Sequence, residues 1–166
     1  MREFIGALLL TLLMSPSVFG GELPVPQGPV ILSISGDISN TNAPQRADFD
    51  REMLEALPQS TLDMATPWTE GIQHFQGVYL SDLLEYVGSN SQSAEVMALN
   101  DYHATLDIRE LAAVPVLVAI KNNGSYMRVR DKGPLWIVYP FEDLPLADQS
   151  RHQANQVWQL RRIELH

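Results

Sequence analysis

The feature that most constrains this chain is a short stretch in its second half. Val114 to Ile120 is a nearly continuous apolar run rich in valine, which is the pattern of a buried strand. Asn122-Asn123-Gly124-Ser125 follows after Lys121. Asn-Gly between strand-forming residues is the strongest short-range hairpin signal, because both residues tolerate positive φ. Tyr126 to Val129 is then the returning strand. Arg130-Asp131-Lys132-Gly133-Pro134 forms a loop into a further strand, Leu135 to Tyr139.

The rest of the pattern must supply partners for that strand. Pro29 to Ile38, Ser60 to Thr66, His74 to Tyr79 and Glu95 to Leu99 read as strands or extended pieces. Phe49, Met53, Leu54 and Leu57 form the stripe of a short helix over Asp48 to Leu57, with Asp48 as its cap and Pro58 as its stop. Leu80 to Val87 is a second helix, with Ser81 as N-cap and Gly88 in the C-terminal glycine position. Ile108 to Ala112 is one helical turn, and Phe141 to Gln149 an acidic, proline-interrupted connection. Val157 to Leu165 alternates without a wholly apolar face, which predicts an edge or end strand. The tally is an α+β pattern with mostly strand content and no internal repeat.

Residues 1–20 stand apart. Arg2 precedes an apolar run from Phe4 to Met14, Pro16 breaks it, and Val18-Phe19-Gly20 offers a cleavage site. This is the grammar of a signal peptide, and the run is short for a membrane span. The expectation is an exported, periplasmic protein with a single domain over residues 21–166. A domain of roughly that size buries a core without covalent staples. The sequence contains no cysteine, which excludes cysteine nucleophiles, iron–sulfur clusters and thiolate metal ligands. A net charge of −9 argues against nucleic acid and anionic membranes as partners. Against that background Lys121, Arg128, Arg130 and Lys132 fall close together with one acid, Asp131. Such a patch either holds an electron-rich ligand or is a solvated hairpin face.

Four segments, in order, carry a family resemblance. They are Trp68 with Phe75-Gln76-Gly77-Val78-Tyr79-Leu80-Ser81-Asp82-Leu83-Leu84, then Val96 to Tyr102, then Asn123-Gly124 through Gly133-Pro134-Leu135-Trp136-Ile137-Val138-Tyr139-Pro140, and Trp158 to Glu164. Together they resemble the oxidoreductase molybdopterin-binding domain of the sulfite oxidase family. The resemblance implies a mainly β, sulfite-oxidase-type fold in one domain. It also implies a cysteine on the molybdenum just before the tryptophan segment, where this chain has Asp63-Met64-Ala65-Thr66-Pro67-Trp68. A soft thiolate is not replaced by methionine or threonine, so no molybdenum is expected. The family's arginine after Pro134-Leu135 is here Trp136, which removes a positive charge from an oxyanion site unless Arg130 compensates.

A cysteine-free, exported, single-domain member is similar to the small periplasmic pterin-binding regulators (PruR-like). What that implies is a non-enzymatic module with a pterin as ligand and, as partner, the periplasmic part of a membrane-bound diguanylate cyclase or phosphodiesterase that makes or degrades cyclic di-GMP. Two alternatives stay open: a molybdopterin-dependent oxidoreductase without the usual cysteine, and an interaction domain that has lost its pocket. A flat pterin ring calls for an aromatic wall, and its pyrimidine edge for a carboxylate, amide or cation. The candidate ligand-binding residues are Trp68, Thr69, Asp101, Tyr102, Arg130, Asp131, Lys132 and Trp136, with Glu70 as a further carboxylate. Gly133, which has no side chain, lets the backbone approach a ligand. His74, His103 and His152 match no zinc spacing, and no strand–turn–helix nucleophile elbow is present.

Overall fold

Two five-stranded sheets share the chain between them. The computed structural model describes residues 21–140 and 146–166; the expected signal peptide, residues 1–20, lies outside the described residues. The strands are β1 (Leu32–Gly36), β2 (Arg46–Phe49), β3 (Ser60–Ala65), β4 (Ile72–Tyr79), β5 (Ser93–Ala98), β6 (His103–Asp107), β7 (Leu117–Asn122), β8 (Ser125–Tyr126), β9 (Trp136–Val138) and β10 (Leu160–Leu165). The helices are α1 (Arg51–Ala56), α2 (Leu80–Tyr86) and α3 (Leu146–Ala154), with 3₁₀ turns at Ile108–Ala112 and Val129–Asp131. The protein is thus a mostly β, α+β domain.

The first sheet runs β2-β1-β10-β5-β6, and only β1–β10 in it is parallel. The second runs β3-β4-β7, with β8 and β9 on the far side of β7 at opposite ends. The apolar run that dominates the sequence is β7, and its two faces serve different cores. Val118 and Ile120 enter the main core between the sheets, with Leu32, Ile34, Val78, Val96, Leu106 and Ile163. Leu117 and Ala119 point the other way, into an outer cluster with Met64, Phe75, Met127, Trp136 and Val138. Burial on both faces is why the run carries no polar alternation. The Asn123-Gly124 hairpin is present, both residues at positive φ (51° and 76°).

Several expectations are corrected. The strand ending at Leu165 is no edge: β10 is the middle strand of its sheet. Its register shifts between Leu160 and Arg162, a bulge that adds one residue and breaks the two-residue alternation. Leu160, Ile163 and Leu165 therefore all reach the core, a spacing that strict alternation cannot reveal. The first helix begins at Arg51 rather than Asp48, because Asp48 and Phe49 belong to β2, paired with Ser33 and Leu32. Ser81 caps nothing; Tyr79 is the N-cap of α2 and makes no side-chain bond there. Gly88 does sit in the left-handed conformation (φ 66°) just past that helix. Only Ser125–Tyr126 of the expected returning strand pairs, since the chain turns into 3₁₀ at Val129. β2 and β6 were not anticipated. The expected connection after Phe141 is α-helical from Leu146 onward.

The true cap of α1 is Asp50. One carboxylate oxygen accepts from the Met53 amide at 2.9 Å, and the other from the amides of Gln27 and Gly28, both at 2.8 Å. Asp50 thereby ties the N-terminal arm to the helix start while only 3% exposed. These backbone donors, Met53 first, hold its pKa below the ordinary 3.8 against the opposing effect of burial. A depressed carboxylate contributes stability that is fully present above 3.8 and is lost as pH falls through the folded value. Asp50→Ala is expected to cost about 1–2 kcal/mol in urea denaturation at neutral pH. The same comparison in acid should show that deficit shrinking.

Candidate functional site

A cleft of about 370 Å³ opens between α3 and the end of β5, lined by Trp68, Ala98, Asn100, Tyr102, Ser150, Gln153, Ala154, Gln156 and Trp158. Each wall has a local cause. β5 ends at Ala98, and the chain reverses through Leu99 to Tyr102. The amide of Ala98 donates to the Tyr102 carbonyl at 2.8 Å, and the Asn100 side-chain oxygen accepts from the Tyr102 amide at 3.2 Å. Asp101 takes the left-handed position of this turn (φ 63°), a conformation that Asp and Asn tolerate better than most residues. The turn sends Asn100 and Tyr102 toward the cleft. The Tyr102 hydroxyl then donates to the Ala154 carbonyl at 2.8 Å, satisfying a backbone acceptor in the last turn of α3.

The aromatic wall is a stack of tryptophans. Thr66 and Thr69 join their hydroxyls at 2.7 Å, and the Trp68 and Thr69 amides bond back to Thr66. That tight turn after Pro67 fixes Trp68. Its ring meets Trp158 edge-on at 5.2 Å and Trp136 at 6.4 Å. Trp136 also packs edge-on against Phe75 at 5.2 Å and Trp158 at 6.2 Å. Trp136 is 1% exposed and belongs to the outer cluster; Trp68 and Trp158 line the cleft. The third wall is α3, where Ser150, Gln153 and Ala154 share one face by the i, i+3, i+4 rule.

The sequence-predicted residues are only partly brought together. Trp68 and Tyr102 line the cleft, Thr69 positions Trp68, and Trp136 backs the wall from inside. Asp101 does not enter: its side chain is 80% exposed and pairs with Arg161 at 2.8 Å. Arg130 and Asp131 are exposed, Asp131 being bound to Arg128 and 4.0 Å from Arg130, so Arg130 does not stand in for the missing arginine. The Lys132 ammonium lies 5.8 Å from the Trp136 ring and 6.0 Å from Trp158, at the outer limit of cation–π range. Gly133 is close-packed against the Met127 carbonyl, which leaves no room for a side chain. Lys121, the fourth cation of the patch, is paired with Glu55 at 2.9 Å. Glu70 is exposed. His74 pairs with Asp63 across β3–β4, and His103 sits over the Asp101 carbonyl.

Sequence reasoning missed Trp158, Asn100 and the whole α3 wall. Among the described residues around the cleft none is charged. It is a neutral, aromatic site edged with the amides of Asn100, Gln153 and Gln156. The signal for Trp158 was a large aromatic just ahead of the last strand, on the side of the alternation that also carries Arg162 and Glu164. For α3 it was helix-forming composition without an apolar stripe.

No protein-family model and no curated protein matches this chain. Its fold resembles part of a larger enzyme. The solved structure of SoxCD, the sulfane dehydrogenase of Paracoccus pantotrophus, superposes with a TM-score of 0.62 at 18% identity. The match covers 87% of this chain and 40% of that one, so the likeness is one of fold. Molybdenum, which the sulfite-oxidase resemblance implies, does not fit the donor set. In the stretch before Trp68, Met64 is buried in the outer cluster and the Thr66 hydroxyl is engaged by Thr69. Neither offers the thiolate such a metal needs.

The described side chains of α3 dock largely through polar groups. Arg151 bonds to Glu110 at 2.7 Å, and the His152 ring stacks on Tyr139 at 4.9 Å. Burial, and secondarily Arg151, hold the His152 pKa below 6.5, with Glu110 and Asp148 opposing. A depressed histidine stabilises the fold above 6.5, and that contribution is lost as pH falls through the folded value. Wild-type melting temperature should therefore fall between about pH 7 and pH 5. His152→Phe, which keeps the stack without the titration, is expected to flatten that slope.

Proposed function

We propose that this protein is a periplasmic, non-enzymatic receptor for a pterin, held in the cleft between Trp68, Tyr102, Trp158 and α3. The observation that carries the reading is the combination of two tryptophans and a tyrosine with three amides and, among the described lining residues, no charged side chain. A flat heteroaromatic ring gains from aromatic contact beyond the area it buries, typically about 0.5–1.5 kcal/mol per ring pair. Its polar edge needs hydrogen-bonding groups at fixed positions. The motif resemblance to the sulfite-oxidase-type molybdopterin-binding domain supports the choice of a pterin, as does the fold shared with part of a sulfane dehydrogenase. The missing thiolate favours binding over redox catalysis. By the resemblance to periplasmic pterin-binding regulators, the liganded protein would act on the periplasmic part of a membrane enzyme of cyclic di-GMP metabolism. In that scheme the acidic surface, with its net charge of −9, faces solvent or this partner.

The test is a titration of the purified protein with pterin, read as quenching of tryptophan fluorescence. Saturable quenching is expected in the wild type. Trp68→Ala and Trp158→Ala should each bind at least about tenfold more weakly, the loss of roughly one stacking partner. Absence of quenching or thermal shift at saturating pterin would return the interaction-domain alternative. Stoichiometric molybdenum in the purified protein would return the oxidoreductase.

A further inference from the structure

Beside the aromatic walls, one atom at the cleft has no counterpart. Gln156 lines the cleft, is 2% exposed, and its side-chain oxygen Oε1 is buried without any hydrogen-bond partner. The other end of the amide is occupied: Nε2 donates to the Tyr139 carbonyl at 3.4 Å. That bond orients the amide and leaves the oxygen as a bare acceptor. Native folds rarely leave a buried polar atom orphaned, because it has given up water and received nothing in return. In a residue of the cleft lining the economical explanation is an acceptor reserved for a ligand and uncovered as that ligand seats.

We infer that Gln156 is the specificity-determining residue of the cleft, accepting a hydrogen bond from a ring N–H on the pyrimidine edge of a neutral pterin. The inference rests on the pterin reading and adds which edge is read and by what. An uncharged acceptor selects differently from a carboxylate. A carboxylate favours a cationic or doubly donating edge, whereas one amide oxygen asks for one N–H and tolerates no charge in this neutral surround. The neighbours suit that role. Asn100 and Gln153 are more exposed and offer further amides, and no acid or base among the described lining residues competes for the donor. Trp136, whose Nε1 is likewise buried and unpartnered, lies behind the wall and not among the lining residues. A ligand that filled its volume but lacked the N–H would leave Oε1 as unsatisfied as before, which is how such sites reject close analogues.

A double-mutant cycle between protein and ligand tests this. The probes are pterin and 3-methylpterin, in which the ring N–H is replaced. The proteins are wild type and Gln156→Leu. Wild type should bind pterin at least about tenfold more tightly than 3-methylpterin, consistent with one hydrogen bond made in a desolvated site. Gln156→Leu should bind pterin as weakly as wild type binds the methylated ring, and should not distinguish the two. A merely structural glutamine, whose bond to the Tyr139 carbonyl is lost in the variant, would instead weaken both probes by the same factor and leave their ratio unchanged. Equal binding of both probes by wild type, or losses that simply add, overturns the inference and leaves the pterin reading standing. Binding of neither probe by wild type overturns both.

Discussion

The architecture depends on one crossing. Between Val157 and Leu160 the chain belongs to both sheets at once. The Ile137 amide donates to the Val157 carbonyl, Trp158 bridges to Trp136, and the Leu160 amide donates to Leu135. The next residues become β10, held between β1 and β5. The bulge at Arg161 absorbs the change of sheet. Because Trp158 is fixed at that crossing, it stands edge-on to Trp68 and faces the cleft. Removing the crossing would uncouple the aromatic wall from β5 and open the site, although the shared core still holds the sheets together.

The opposite wall is held by different forces. α3 contributes Ser150, Gln153 and Ala154 to the cleft, yet it is attached through Arg151 to Glu110, the His152–Tyr139 stack and the Tyr102 hydroxyl. Polar anchors of this kind are individually modest, and the exposed ones are weakened by salt. The cleft thus joins an aromatic side to one whose described contacts are largely polar. Binding sites are commonly assembled this way, and the ligand's contacts with both walls are what would stabilise the closed arrangement.

The sequence disclosed the fold where burial imposes a period. The valine run of β7, the Asn-Gly hairpin and the Leu80–Val87 stripe all predicted their elements. It was silent where tertiary context overrides period: the bulged β10 looked like an edge, the short β2 was hidden inside a helical pattern, and α3 has no apolar stripe. The site was legible through Trp68 and Tyr102, whose types and neighbours both pointed to a ligand. Asp101 was a reasonable choice by residue type, but the left-handed turn that it makes possible carries its carboxylate outward to Arg161. Gln156 carried no sequence signal, because a glutamine becomes informative only once it is seen to be buried and half satisfied.

The proposed reading is that a neutral aromatic cleft without a thiolate holds a ring and does not turn over a metal. Native mass spectrometry of the protein purified without denaturant addresses that claim directly. The account predicts a one-to-one adduct with the mass of a pterin and no molybdenum, lost from Trp158→Ala. An unmodified polypeptide mass in the presence of saturating pterin would contradict it.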